Sequence, residues 1–314
     1  MSRAVTYRAF GGPEVLELSE VAEPHAGPGE VRVRVTAAGL NPMDWAIASV
    51  PRVAAMFDVA PPAGFGYDLA GVVDEVGSGA EGFAVGDRVY GGAMARAVAD
   101  FVVMRAPAPE ATTPAPDALL HTPDGIGDEI AATLPVAGRT AAAALSRVGT
   151  GSGDTVLIGG AAGGVGIFAV QLARLAGARV IGTASEGTFG FLRELGAEPV
   201  AYGPGLAERV RALAPQGPTA AVDLFGTETV ETALELGVAP GRIATIAAGP
   251  NPPGGVHSTG GADAEPGDLA RIAEAVLAGD LVVPIAATYP IERIRDAVEA
   301  QAGRHVHGKI VVTL

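Results

Sequence analysis

The chain contains no cysteine. That excludes disulfides and every thiolate metal site, four-cysteine zinc lobes included. Lysine is almost as scarce: it occurs once, at Lys309, and arginine supplies the rest of the positive charge. Alongside the Ala, Gly and Pro load, this reads as the coding bias of a GC-rich genome, with no clear functional meaning. Acidic residues outnumber basic ones by 35 to 21, a net charge of −14. A phosphate-tracking surface needs clustered Lys and Arg, so nucleic acid is not an expected partner. Nor does any apolar run reach membrane-spanning length without a Gly, Pro or charge interrupting it, and no membrane partner is expected. The first residues, "MSRAVTYRAFGGPEVLEL", lack an apolar signal core and read as the start of a strand. A cytoplasmic protein is the expectation.

What is present suits a well-buried globular protein of one large or two medium domains: 314 residues, 48% hydrophobic and 18% charged. Up to about residue 124, short β-like runs are broken by Gly and Pro. "EVRVRVTAAGL" alternates apolar and charged residues over positions 31–35, as a half-exposed strand does, and "DLAGVVDEVG", "GDRVYGG" and "DFVVMRA" continue the pattern. A Pro-rich patch at residues 106–116, "APAPEATTPAP", reads as an extended surface loop. Further on, strand and helix alternate. "TVLIGG", "ARVIGTA", "EPVAYG", "AAVDLFG" and "GRIATIAAG" read as strands; "GIFAVQLARLAG", "GFLRELGA" and "LAERVRALA" read as helices. The fold class is therefore α/β, with a doubly wound parallel sheet of Rossmann type beside a β-rich domain. The tail predicts two helices and a closing β-like run.

The most informative stretch is "VLIGGAAGGVG". A strand that enters a helix through a glycine turn leaves the first helical N–H groups unpaired at the positive end of the helix dipole, where phosphate binds. The dinucleotide fingerprint reads Ala161, Gly163 and Gly166, so an alanine stands in place of its first glycine. Gly163 lets a pyrophosphate approach the backbone; Gly166 lets helix and strand pack closely. Gly164 and Val165 complete the turn. The strand before it and the strand–helix units after it lend the pattern specificity.

In order along the chain, "AAGLNPMDW", "GFGYDLAGVVDEVG", "FAVGDRVYG", "LPVAGRTA", "VLIGGAAGGVG" and "HGKIVV" resemble the medium-chain dehydrogenase/reductase superfamily, in its zinc-free quinone oxidoreductase-like branch. The resemblance covers nearly the whole chain. It implies a GroES-like domain over residues 1–124, completed by 266–314, and a Rossmann dinucleotide-binding domain over 125–265, with the substrate cleft where they meet. Where zinc-dependent members hold their metal with a Cys and a "GHE" His, this chain has "NPMDW" and "GYD", and no zinc is expected. His305 and His307 share one face of a strand; a solvated strand end is preferred there over a metal pair.

The implied chemistry is hydride transfer from a nicotinamide to the β-carbon of an enone or to a quinone, with hydrogen-bond donors stabilising the charge that develops on the carbonyl oxygen. Asn41 is the first candidate donor, weighed against an Asx-type turn before Pro42. Asp44 reads as an anchor of that loop. Some relatives carry a Tyr two residues after the matching Asp, where this chain has Ala46. Tyr67 is the candidate replacement as proton donor, weighed against a core-edge tyrosine. Thr140 matches a position beside the nicotinamide, and Phe225 and Ala248 are further expected cofactor-binding positions. The end of the second Rossmann strand carries Thr183 and Ser185 in place of an acidic residue, which favours NADPH, as does Tyr202. Phe189, where a relative would have a lysine, and the nearby Glu186 leave NADH open. Arg193 lies one helical turn from Phe189.

A reductase of activated double bonds or quinones, acting on a small carbonyl-conjugated molecule, is the leading reading. A stand-alone enoyl reductase or tailoring enzyme, and a cofactor-binding protein without turnover, remain beside it. Residues 249–267 are the expected substrate loop. A homodimer formed through an exposed edge such as "GRIATIAA" is expected by analogy.

Overall fold

The computed structural model of the chain describes residues 1–106 and 119–314. From residue 107 on, the expected extended loop at 106–116 lies outside the described residues. The chain forms two compact units: Met1–Val136 with Leu269–Leu277 and Ile285–Leu314, and Ala137–Asp268 with Ala278–Pro284.

The first unit begins with β1 (Ser2–Tyr7), β2 (Glu17–Val21) and β3 (Glu30–Leu40), then α1 (Pro42–Ser49) and α2 (Pro51–Met56). Next come β4 (Ala63–Gly64), β5 (Asp68–Val76), β6 (Arg88–Gly92), β7 (Phe101–Arg105), β8 (Leu119–His121) and α3 (Asp128–Ala131). The alternation read at residues 31–35 is present: Val31, Val33 and Val35 are buried while Arg34 is exposed. Their side chains join a core with Leu69, Val73 and Val89. β3 pairs with β5 along one edge, and its other edge is shared. β7 pairs with residues 30–34 and the final strand with residues 37–40. The unit runs on past residue 124 because polar contacts tie the next segment in. Asp128 accepts hydrogen bonds from Thr36 Oγ1 at 2.7 Å and from the Arg88 guanidinium, and Arg88 also donates to the Ile126 carbonyl.

The helix α4 (Pro135–Arg147) leads to the second unit. There β9 (Thr155–Gly159), α5 (Gly166–Leu175), β10 (Arg179–Ala184), α6 (Phe189–Glu194), β11 (Glu198–Ala201) and α7 (Leu206–Leu213) alternate. β12 (Ala220–Asp223), α8 (Glu228–Glu235), β13 (Ile243–Thr245) and β14 (His257–Ser258) follow. The six strands form a parallel sheet in the order β11-β10-β9-β12-β13-β14. This is the doubly wound order, which reverses at β9. Its core includes Leu157, Ile181, Ala221 and Ile243. Gln171 binds the returning segment: it donates to the Val282 carbonyl and accepts from the Val282 N–H, both at 2.8 Å.

The expected dimer edge lies inside the sheet. "GRIATIAA" is not an exposed edge, because β14 pairs on its outer side and leaves Ile243 and Ala244 wholly buried. The edge belongs to the two-residue β14, drawn from the middle of the expected substrate loop.

The chain then runs through α9 (Asp268–Ala278), β15 (Ile285–Pro290), α10 (Ile294–Ala302) and β16 (Lys309–Thr313). β16 pairs antiparallel with the end of β3, so the closing β-like run completes the sheet of the first unit.

Leu157 sits fully buried at the centre of the parallel sheet. Leu157→Ala is expected to lower stability by about 2–5 kcal/mol, by lost transfer energy plus the cavity left behind. Urea unfolding followed by circular dichroism checks this; a change under about 1 kcal/mol would mean that the neighbouring strands collapse into the space.

Candidate active site

The turn between β9 and α5 is built from backbone contacts. Gly160 has a φ of +67° and donates its N–H to Thr183 Oγ1 at 3.1 Å, and Ala161 N–H donates to the Thr183 carbonyl at 3.2 Å. Thr183 is therefore buried against the turn and holds it to β10. A Cβ on Gly166 would lie 2.4 Å from Gly160 O and 2.5 Å from Ala161 O, so only glycine fits where the helix starts. The alanine that replaces the first glycine also has a physical reason. A Cβ on Gly182, in β10, would come within 2.8 Å of the Ala161 methyl, so Gly182 supplies the room that Ala161 needs. Gly163, Gly164 and Val165 stay half-buried; Gly163 N–H donates to the Gly160 carbonyl at 3.0 Å, and Ile167 and Ala169 N–H donate to the Gly163 and Val165 carbonyls, each at 3.0 Å.

The other expected cofactor positions line the same carboxyl edge. In the strand order of the sheet, Tyr202 follows β11, Ser185 follows β10, the glycine turn follows β9, Phe225 follows β12 and Ala248 follows β13. Tyr202 and Phe225 are more than half exposed there. Ser185 is exposed too, with its hydroxyl 2.9 Å from Thr188 Oγ1. Phe189 and Arg193 stack, the guanidinium 5.8 Å from the ring centroid. Arg209, which the sequence reading passed over, holds the loop that presents Tyr202. Its guanidinium donates to the carbonyls of Ala201, Tyr202, Gly203 and Pro204 at 2.8–3.2 Å. Thr140 is buried on α4, beside Gly261, whose Cβ would lie 3.2 Å from Thr140 Oγ1.

In the first unit, the turn after β3 is held by a buried polar network. Lys309, the chain's single lysine, is 2% exposed and donates to Asn41 Oδ1 at 2.6 Å and to the Leu40 carbonyl at 3.0 Å. Asn41 in turn donates from Nδ2 to Asp68 Oδ2 at 2.9 Å, and Val136 N–H donates to Asp68 Oδ1 at 3.0 Å. Lys309 Nζ lies 3.9 Å from Asp68 Oδ2. Asp44 anchors the loop, accepting Asn41 N–H at 2.7 Å while its own N–H donates to the Asn41 carbonyl. The Asn41 amide is thus engaged inside the fold, and the arrangement makes it a strut of the turn. Tyr67 lies at the edge of the core, its ring so close to Gly92 that a Cβ there would meet Tyr67 Cε1 at 2.1 Å. Lys309 carries structural meaning that composition did not reveal.

Burial dominates the titration of these groups. It pushes the Asp44 carboxyl up to about 8, with Asp68 repelling its charge as well, while the Asn41 N–H and Lys309 pull the other way. The Lys309 ammonium is lowered by burial, which Asp68 and Asp44 only partly offset.

Lys309→Met is expected to cost about 3–5 kcal/mol, because it removes the ammonium that faces a buried carboxylate and the donor to two buried oxygens. Equilibrium denaturation tests this, and an unchanged midpoint would mean that the ammonium is dispensable. Asp44 gives a pH signature. Its folded value of about 8 lies above the unfolded 3.8, so its stabilising contribution is complete below pH 3.8 and lost as pH rises towards 8. Asp44→Asn keeps an acceptor for Asn41 N–H and removes the titration. The decline in wild-type stability over that window, measured against Asp44→Asn, is the expected result; parallel profiles would show that Asp44 ionises normally.

The chain matches the family described as alcohol dehydrogenase GroES-like domain over residues 27–106, and that described as zinc-binding dehydrogenase over residues 164–263. Zinc does not fit the stretches where zinc-dependent relatives hold it. The chain has no thiolate to offer, and the Asp68 oxygens are taken up by Asn41 and Val136 N–H beside an ammonium. Among the described residues no group of three His, Cys, Asp or Glu is placed to hold a metal ion. A quinone oxidoreductase of Pseudomonas aeruginosa is 35% identical over 263 residues, 82% of this chain and 77% of that protein. A 2-methylene-furan-3-one reductase of Solanum lycopersicum is 35% identical over 62% of this chain and 50% of its own length. Among solved structures, a mycobacterial protein complexed with NADPH superposes with a TM-score of 0.84 at 26% identity, covering 100% of both chains. Sequence, sheet order and these relatives agree: the chain belongs to the medium-chain dehydrogenase/reductase superfamily, in its quinone oxidoreductase-like branch.

Proposed function

We propose that the protein is an NADPH-dependent reductase of quinones or enones, working without zinc. The observation that carries this reading is the carboxyl edge of the parallel sheet. There Tyr202, Ser185, the glycine turn, Phe225 and Ala248 follow one another across the sheet, each just after the carboxyl end of its strand. Ligands of doubly wound sheets bind along that edge, at the point where strand order reverses.

The backbone N–H groups of Gly164, Val165 and Gly166 receive the pyrophosphate at the positive end of α5, and Gly163, its N–H tied to the Gly160 carbonyl, leaves room for it to approach. Ser185 and Arg193 receive the ribose phosphate; the charge of Arg193, carried beside Phe189, stands in for the absent lysine. Arg209 keeps Tyr202 in place by clamping four successive carbonyls. Thr140, Phe225 and Ala248 border the nicotinamide end. When bound, NADPH supplies the hydride, which an electron-poor carbon of the acceptor takes up while a proton from solvent completes the reduction. Asn41 serves as a positioning residue for the turn after β3, since its amide is engaged by Asp68 and Lys309, while Tyr67 packs against Gly92 at the end of β6. A cytoplasmic homodimer joined through the β14 edge belongs to the same reading.

Loss of nicotinamide absorbance with a panel of quinones and enones tests the proposal, NADPH and NADH being compared side by side. Turnover with NADPH in preference to NADH is expected, and Arg193→Ala is expected to reduce that preference about tenfold. Absence of turnover with every acceptor would overturn the reductase reading. A wild-type preference for NADH would overturn the phosphate-binding role of Ser185 and Arg193 and point to Glu186.

A further inference from the structure

Asp223 is completely buried at the end of β12, two residues before Phe225. In the parallel ladder it lies opposite Thr245, the last residue of β13. Thr245 Oγ1 donates to Asp223 Oδ2 at 2.5 Å, and Phe225 N–H donates to Asp223 Oδ1 at 3.3 Å. A threonine hydroxyl has one hydrogen. With that hydrogen given to the carboxylate, the oxygen can only accept. It accepts from Ala247 N–H at 3.1 Å and from Ala248 N–H at 2.9 Å. The backbone adds a further tie, Ile246 N–H to the Asp223 carbonyl at 3.0 Å. One carboxylate thereby sets the direction of the side-chain hydrogen bond between the ends of β12 and β13, and through it of the two bonds that hold Ala247 and Ala248.

We infer that Asp223 is a positioning residue for the cofactor: acting through the Thr245 hydroxyl, it fixes the two loops that border the nicotinamide end of the site. The inference rests on the cofactor reading above. It explains why a carboxylate is kept at a wholly buried position, where burial disfavours its charge. It also explains the choice of partner. Thr245 offers one donor and two acceptor sites, and all three are used. Burial raises the Asp223 carboxyl above its usual value, and the Thr245 and Phe225 donors draw it back.

The polarity of the chain decides what substitutions do. Both Asp223 oxygens accept, so an asparagine must turn its NH2 towards either the Thr245 hydroxyl or the Phe225 N–H, and one donor then faces another. Thr245→Val keeps the shape and removes the hydroxyl, which strands the Ala247 and Ala248 N–H groups. Thr245→Ser keeps every bond.

The test is NADPH affinity, read from nicotinamide fluorescence well below each protein's Tm, together with the quinone KM at saturating NADPH. Asp223→Asn and Thr245→Val are expected to weaken NADPH binding about tenfold or more, while Thr245→Ser stays within about twofold. The quinone KM is expected to change little in all three. Wild-type affinity in a folded Thr245→Val, or equal weakening in Thr245→Ser and Thr245→Val, would overturn the proposal. Should Thr245→Val not fold, wild-type affinity in Asp223→Asn overturns it alone. Failure of the wild-type protein itself to bind NADPH is a different result, and would overturn the cofactor reading.

Discussion

An ammonium buried away from water has to be surrounded by oxygen, and that requirement organises the first unit. Lys309 begins the last strand, yet the oxygens around it belong to the end of β3, the turn that follows and the start of β5. Val136 N–H closes the arrangement from the far side of Asp68. Segments separated by up to 269 residues are thereby brought to one point, at the end of β3, where Leu40 pairs with Ile310 of β16. The sheet supplies the backbone register, and the network decides what the Asn41 turn does once the strand ends.

The two units solve one problem in two ways. Each has a fully buried aspartate at a strand terminus, Asp68 at the start of β5 and Asp223 at the end of β12. Each aspartate accepts one backbone N–H and one side-chain donor from a neighbouring part of its sheet. In the first unit a buried cation stands behind the donor. In the second the donor is a neutral hydroxyl whose other two sites hold backbone. A low-dielectric interior makes both arrangements costly to leave incomplete, and so well suited to fixing loops at strand ends.

The elements that carry periodic signals were legible in the sequence. The alternation at residues 31–35, the glycine turn before α5 and the strand–helix alternation each follow from local spacing. The placement of the expected cofactor positions on one sheet edge follows from them. Long-range pairing was not legible. Nothing around "HGKIVV" distinguishes a buried lysine from a solvated one, because its partners lie hundreds of residues upstream. Asn41 reads as a free donor until the oxygens and hydrogens facing it are known. The two-residue β14 is too short to leave a pattern, so β13 looked like an edge. Ala161 appeared to depart from the glycine pattern only because its compensation, Gly182, sits on another strand.

The scarcity of lysine and the burial of Lys309 bear on chemical survival. Quinones and enones are electrophiles, and thiols and unprotonated amines are the side chains that add to them most readily. An enzyme handling such acceptors is exposed to alkylation by its own substrates at every turnover. This chain has no thiol, and its one side-chain amine lies 2% exposed beneath the Asn41 turn, committed to two oxygens. While the fold is intact, neither of these nucleophiles meets the acceptor; local opening at β16 would be the event that exposes one.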